Sequence, residues 1–107
     1  MVNYYGQARP DELRISGSKW KVEWFADIKE MGLCDFKKQK ITVSKDVSPE
    51  LAVDVLVHEI MHVIWWFSAM PGKADEERCI SILASGLNQV YAANPLLVEW
   101  IGEIHSS

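Results

Sequence analysis

The sequence predicts an α+β fold: a small, mostly antiparallel sheet packed on one buried helix, with two further helices closing the far side. Three observations carry this. Short stretches that alternate polar and apolar residues fill the chain up to Ser44. A long apolar run, Leu51 to Phe67, follows Ser48-Pro49, where serine suits a helix cap and proline the first helical position. Two more helix starts come later, near Asp75 and at Asn94-Pro95.

At 107 residues the chain makes one domain, 1–107, large enough for a single core and no more. Hydrophobic residues at 49% and charged residues at 24% fit an ordinary globular protein. A net charge of −4 offers no broad basic surface to phosphates, which argues against a nucleic-acid partner. Met1 to Asp11 holds no basic patch followed by an apolar stretch, so no secretory signal is expected. The Leu51–Phe67 run is short for a membrane span and carries Asp54, His58, Glu59 and His62, so it reads as core and not membrane. Cys34 and Cys79 lie far apart with nothing to mark a disulfide scaffold, and two reduced, buried thiols are expected. A cytoplasmic protein follows by elimination.

The elements can be taken in order. Residues 1–11 read as an exposed start. Glu12 to Ser16 alternates as a half-buried strand does, and Gly17-Ser18 signals a turn. Trp20 to Phe25 sets Trp20, Val22 and Trp24 on one face and completes a hairpin. Ala26 to Met31 suits either a helical turn or a polar crossover, ended by Gly32. Leu33 to Phe36 and Lys40 to Ser44 are two more short strands. The lysines between them, Lys37-Lys38, fit a solvated hairpin tip better than a phosphate site.

The helix from Pro49 to about Met70 is apolar around most of its circumference and is stopped by Pro71-Gly72. Leu56, Ile60, Val63 and Phe67 should face the sheet. Leu51, Asp54, Val55, His58, His62 and Trp65 share the other side. A second helix, capped at Asp75 or a neighbour, runs to about Ala92 with Ile80, Leu83, Leu87, Val90 and Tyr91 inward. Pro95 to Ile104 forms the last helix, carrying Leu97, Trp100 and Ile101.

The chemistry concentrates at His58-Glu59-Ile60-Met61-His62. Histidines four apart on a helix lie on one face, so both imidazoles can reach one tetrahedral zinc ion at roughly 2.0–2.1 Å. Glu59, one residue after His58, points about 100° around the helix, beside the metal and not onto it. From there a carboxylate can take a proton from a water acidified by the ion. Two histidines and a glutamate inside a buried helix would also be costly without a metal to satisfy them. Such a site holds one zinc and needs a third protein ligand. Glu76, near the middle of the second helix's inward face, is favoured for it, with Glu77 at the edge of that face as the alternative. The plainer role for this pair is a charge at a helix N-terminus. Cys79 fits a small buried hydrophobe better than a ligand, and His105 a loose surface end. Asp54, one turn before His58, would orient that imidazole, or else is a surface carboxylate near a helix start.

A sheet of short strands, then His58-Glu59-x-x-His62 on a buried helix, then Glu76-Glu77 opening the next one, resembles the zincin metallopeptidases. Within them the chain looks most like the minimal, gluzincin-type group that includes the ImmA/IrrE-like and SprT-like peptidases and small phage-encoded metallopeptidases. The resemblance covers about residues 33–95. It implies that His58 and His62 are zinc ligands, that Glu59 is the base and then the acid, and that Glu76 or Glu77 is the third ligand. A third histidine soon after the motif, as in metzincins, is missing, as is any appended DNA-binding module. The expected activity is hydrolysis of a peptide or protein substrate. The Leu33–Phe36 strand would either bind an extended substrate by strand addition or simply form the sheet edge. A non-catalytic zinc-binding or protein-interaction domain, using the apolar surface around Trp65 and Trp66, is the alternative.

Overall fold

The computed structural model describes residues 9–68 and 76–106, and of Glu76 the backbone alone. It is α+β, as expected. Four strands are followed by three helices: β1 (Glu12–Ile15), β2 (Ser18–Phe25), β3 (Gly32–Asp35), β4 (Lys40–Ser44), α1 (Pro49–Ser68), α2 (Glu76–Ala93) and α3 (Pro95–Ser106). The strands form one sheet in the order β1-β2-β4-β3.

The β1–β2 hairpin turns on Ser16 and Gly17, both at positive φ (53° and 79°). Positive φ at both turn residues is the geometry whose twist matches a two-residue hairpin, which explains a glycine at the second position. β3 and β4 make a second antiparallel hairpin, Cys34 opposite Ile41. Its tip is solvated, with Lys37 and Lys38 exposed and the Lys38 amide donating to Asp35 Oδ1 at 3.0 Å. The two hairpins join through a parallel pair, β2 with β4, Val22 opposite Ile41. The sheet is therefore mixed, antiparallel in two of its three pairings. Ala26 to Met31 is a crossover and not a helical turn; it carries the chain past the slot that β4 later fills and leaves β3 at the edge.

Alternation decides the sheet's two faces. Leu13, Ile15, Trp20, Val22, Ile41 and Val43 are buried on the inner face. On the outer face Lys40 pairs with Glu23 at 2.9 Å, and that hydrogen bond holds the Glu23 carboxyl below its ordinary range.

Helix α1 begins as its sequence predicts. Ser48 accepts from the Leu51 amide through its hydroxyl (3.2 Å) and from Ala52 through its carbonyl (2.8 Å), the two bonds of an N-cap. The helix packs against β1, β3, β4, α2 and α3, with Leu56, Ile60 and Val63 fully buried. By length and composition alone α1 would pass for a membrane span. Here its apolar side is covered by the sheet and the other helices, as in a core helix. Its expected last turn to Met70, the Pro71-Gly72 stop and the Asp75 cap lie outside the described residues.

Helix α2 turns a slightly different face inward than its periodicity suggests. Val90 is buried and Leu83, Leu87 and Tyr91 pack on the core, but Ile80 is 56% exposed and Ile82 packs instead. α1 and α2 approach closely at Gly86, where a Cβ would stand 2.5 Å from Cγ2 of Ile64. Asn94 starts α3, its carbonyl accepting from Leu97 at 3.0 Å. Its side chain goes elsewhere: Oδ1 accepts from the Arg14 amide at 2.9 Å, and Nδ2 donates to the Arg14 carbonyl at 2.8 Å and the Val90 carbonyl at 2.7 Å. One amide side chain thus occupies the edge of β1 as a partner strand would.

Candidate metal centre

The motif sits in the middle of α1, and the helix repeat places its members. His58 and His62 share the solvent side, both exposed. Their Nε2 atoms stand 3.1 Å apart, with the ring planes at 79°. Two nitrogens bound to one tetrahedral ion at 2.0–2.1 Å would be about 3.3 Å apart. The pair is therefore close to the spacing of two ligands on one ion. The same distance also permits an N–H···N bond between neutral rings.

The exposure of both rings corrects one expectation. Burial was to make these histidines costly without a metal, yet water reaches both. The metal reading rests on the convergence of the two nitrogens and not on desolvation. Glu59 behaves differently, being only 8% exposed. It turns toward β3, where Gly32 offers bare backbone: a Cβ on Gly32 would lie 3.0 Å from Glu59 Oε2. Beside it the Cys34 thiol donates to the Glu59 main-chain carbonyl at 3.4 Å. Burial, followed by the nearby Glu59 carboxylate, pushes that thiol up to about 12.

Helix and edge strand enclose an open cleft of about 340 Å³, lined by Met31, Gly32, Asp54, Val55, His58 and Glu59. That is at the small end for ligand sites. A groove of about 470 Å³ between Arg9–Leu13 and α3 is larger but contains none of the motif. Chemistry favours the smaller cleft, because of the two it is the one that brings a histidine and a buried carboxylate together.

Asp54 lines the cleft with His58 and is exposed; among the described residues no hydrogen bond joins the two. The side chain of Glu76, the favoured third ligand, lies outside the described residues. Glu77 is exposed at the start of α2. Among the described residues no three His, Cys, Asp or Glu side chains stand close enough to share an ion, so Glu77 is not brought to the histidines. Cys34 and Cys79 are both partly buried and not joined in a disulfide. His105 is exposed and Tyr91 packs on the core.

Sequence reasoning missed the wall opposite the histidines. Met31, Gly32 and Cys34 all meet the cleft or Glu59, yet Gly32 reads in sequence as mere punctuation. The available signal was positional: Gly32 and Cys34 lie two apart in a strand and so face the same way. No family model matches the chain, and no curated protein or solved structure is significantly similar to it.

Proposed function

We propose that the chain is a zinc-dependent peptidase of the zincin type. The observation that carries this reading is a pair of imidazole nitrogens converging to 3.1 Å, one of them on His58, which lines a cleft together with the buried carboxylate of Glu59. His58 and His62 would hold one zinc per chain, and Glu76 is the residue proposed to complete the set. When bound, zinc supplies Lewis-acid chemistry, lowering the pKa of a water and polarising the scissile carbonyl.

The chain's own residues do the rest. Glu59 takes the proton of the attacking water and then gives one to the leaving amine, which a single carboxylate does well when held dry on one side and open to the cleft on the other. The substrate is a peptide or protein in extended form. β3 is one of the sheet's two edge strands, and its outer backbone can add such a segment as a further strand. The shallow cleft suits a substrate bound mainly through its main chain.

Metal analysis of the purified protein, followed by hydrolysis of a mixed peptide library by wild type and Glu59→Gln, tests the reading. One zinc per chain in both proteins, with turnover lost only in Glu59→Gln, is the expected result. A chain that retains no zinc after dialysis against a zinc buffer sinks it.

One observation favours the non-catalytic reading. Trp66 is 53% exposed, stacked on Phe36 with ring centroids 5.0 Å apart, and offers a large apolar contact. On that reading Glu59→Gln alters nothing measurable, and Trp66→Ala abolishes partner binding.

A further inference from the structure

Gly32 opens β3, opposite Val43 in the register. Its φ lies outside the left-handed range, so backbone conformation alone would accept any residue there. Glycine in a strand gives nothing to pack and loses the most conformational entropy on folding. What the position does not accept is a side chain. A Cβ would stand 2.7 Å from Cγ1 of Val55, 3.0 Å from Oε2 of Glu59 and 3.1 Å from its Cγ. Two residues on, Cys34 faces the same way and bonds the Glu59 carbonyl at 3.4 Å. The edge strand therefore backs onto Glu59 at two successive inward positions, once through a thiol and once through bare backbone.

We propose that Gly32 is a positioning residue for Glu59: the side chain it lacks is the space that the Glu59 carboxylate occupies against the wall of the cleft. For what the carboxylate does there, the inference rests on the peptidase reading; for where it is held, it does not. A methyl group at position 32 would require Oε2 and Cγ to give by a few tenths of an ångström. Proton transfer depends on reach, and a misplacement of about 1 Å costs on the order of a hundredfold. Both histidine rings are exposed, and the atoms nearest a Gly32 Cβ belong to Val55 and Glu59 and not to a histidine, so their hold on a metal should be unaffected.

Gly32 also touches Val55, so a pure packing role must be separated from a positioning one. Gly32→Ala, Val55→Ala and the double variant do this, because removing Cγ1 relieves the contact at 2.7 Å and leaves those to Glu59. The full-length proteins are compared for zinc content, for kcat and KM on a peptide that the wild type cleaves, and, metal-free, for the carboxyl ¹³C resonance of Glu59. That resonance is assigned by its loss in Glu59→Gln. Expected are a displaced resonance and an about tenfold fall in kcat in Gly32→Ala, with KM and zinc content within about twofold of wild type. The double variant should differ from Val55→Ala in the same way, and it carries the test if Gly32→Ala fails to fold. An unmoved resonance, or a double variant matching Val55→Ala in both resonance and kcat, overturns the proposal. If the wild type binds zinc but cleaves nothing, the peptidase reading fails, and a displaced resonance still supports the hold of Gly32 on the carboxylate.

Discussion

Nε2 of His58 faces Nε2 of His62 at 3.1 Å across one turn of α1, and neither ring is part of the core. Binding and folding should therefore separate cleanly at this pair. Without metal, His58→Ala or His62→Ala removes an exposed side chain and should change stability by no more than about 0.5 kcal/mol. With metal the variants should diverge from wild type. Zinc at a hundred times its Kd stabilises a protein that binds it only when folded by about 2.7 kcal/mol. Thermal melts with and without zinc should show that rise in wild type and lose most of it in either variant. Equal zinc-induced shifts in all three proteins would place the metal elsewhere.

Gly86 sets two effects of opposite sign against each other. Replacing a mid-helix glycine by alanine gains about 0.8–1 kcal/mol in helix propensity. The new Cβ, however, would lie 2.5 Å from Ile64 Cγ2, and both residues are held between packed helices. Overpacking of this kind costs about 1–3 kcal/mol. Gly86→Ala should thus lower the urea midpoint with little change in slope. A raised midpoint would mean that α2 can shift away from α1 at little cost.

Asn94 does for β1 what a fifth strand would do. Its amide gives and takes a main-chain bond at Arg14 and gives a third to the Val90 carbonyl. Each such bond contributes about 0.5–1.5 kcal/mol net, less where water competes. Asn94→Ala should cost about 1–2 kcal/mol in chemical denaturation. Asn94→Asp, which keeps only the acceptor, should lie between alanine and wild type. Amide hydrogen exchange at Arg14 gives an independent check, since that N–H loses its acceptor in the alanine variant alone.

The contrast between Asn94 and Ser48 shows what the sequence could and could not say. Both sit before a proline and both were expected to cap a helix. Ser48 does so with side chain and main chain, because a cap is a local arrangement written in adjacent residues. The Asn94 side chain instead crosses 80 positions of sequence to Arg14, and no local pattern announces that. Strand identity was likewise legible from alternation, and Lys40–Ser44 agrees to the residue. Strand order was not: each hairpin is a neighbour in sequence, whereas the parallel pairing of β2 with β4 depends on where the crossover lands. At the site, helical spacing located His58, Glu59 and His62 on one element. It did not reveal which side of that element stays open, so the histidines were expected in the interior and stand in solvent. The wall that covers Glu59 comes from β3, through a glycine whose importance lies in an atom it does not have.

Cys34 offers a reading of that wall by pH. Its thiol is pushed from the ordinary 9.0 to about 12, first by burial, then by the charge of Glu59 and a hydrogen bond to it. The folded chain thus keeps a proton that the unfolded chain gives up, and stability must fall as pH rises between those values. Below about 9 the contribution is fully present; through about 12 it disappears. Denaturant unfolding across this window should show stability declining with a slope of at most one proton from this residue, and Cys34→Ala should flatten that part of the decline. Glu59→Gln removes the carboxylate charge but leaves the burial and the hydrogen bond to the main-chain carbonyl. It should bring the thiol down only in part, to a value still above 9.0. Alkylation by iodoacetamide, followed residue by residue in a mass spectrometer to separate Cys34 from Cys79, measures this directly. In wild type Cys34 should react slowly until strongly alkaline pH, with an earlier onset in Glu59→Gln. Fast reaction of Cys34 near pH 8 in wild type would mean that β3 does not lie closed over Glu59, and the account of the carboxylate's placement would fail with it.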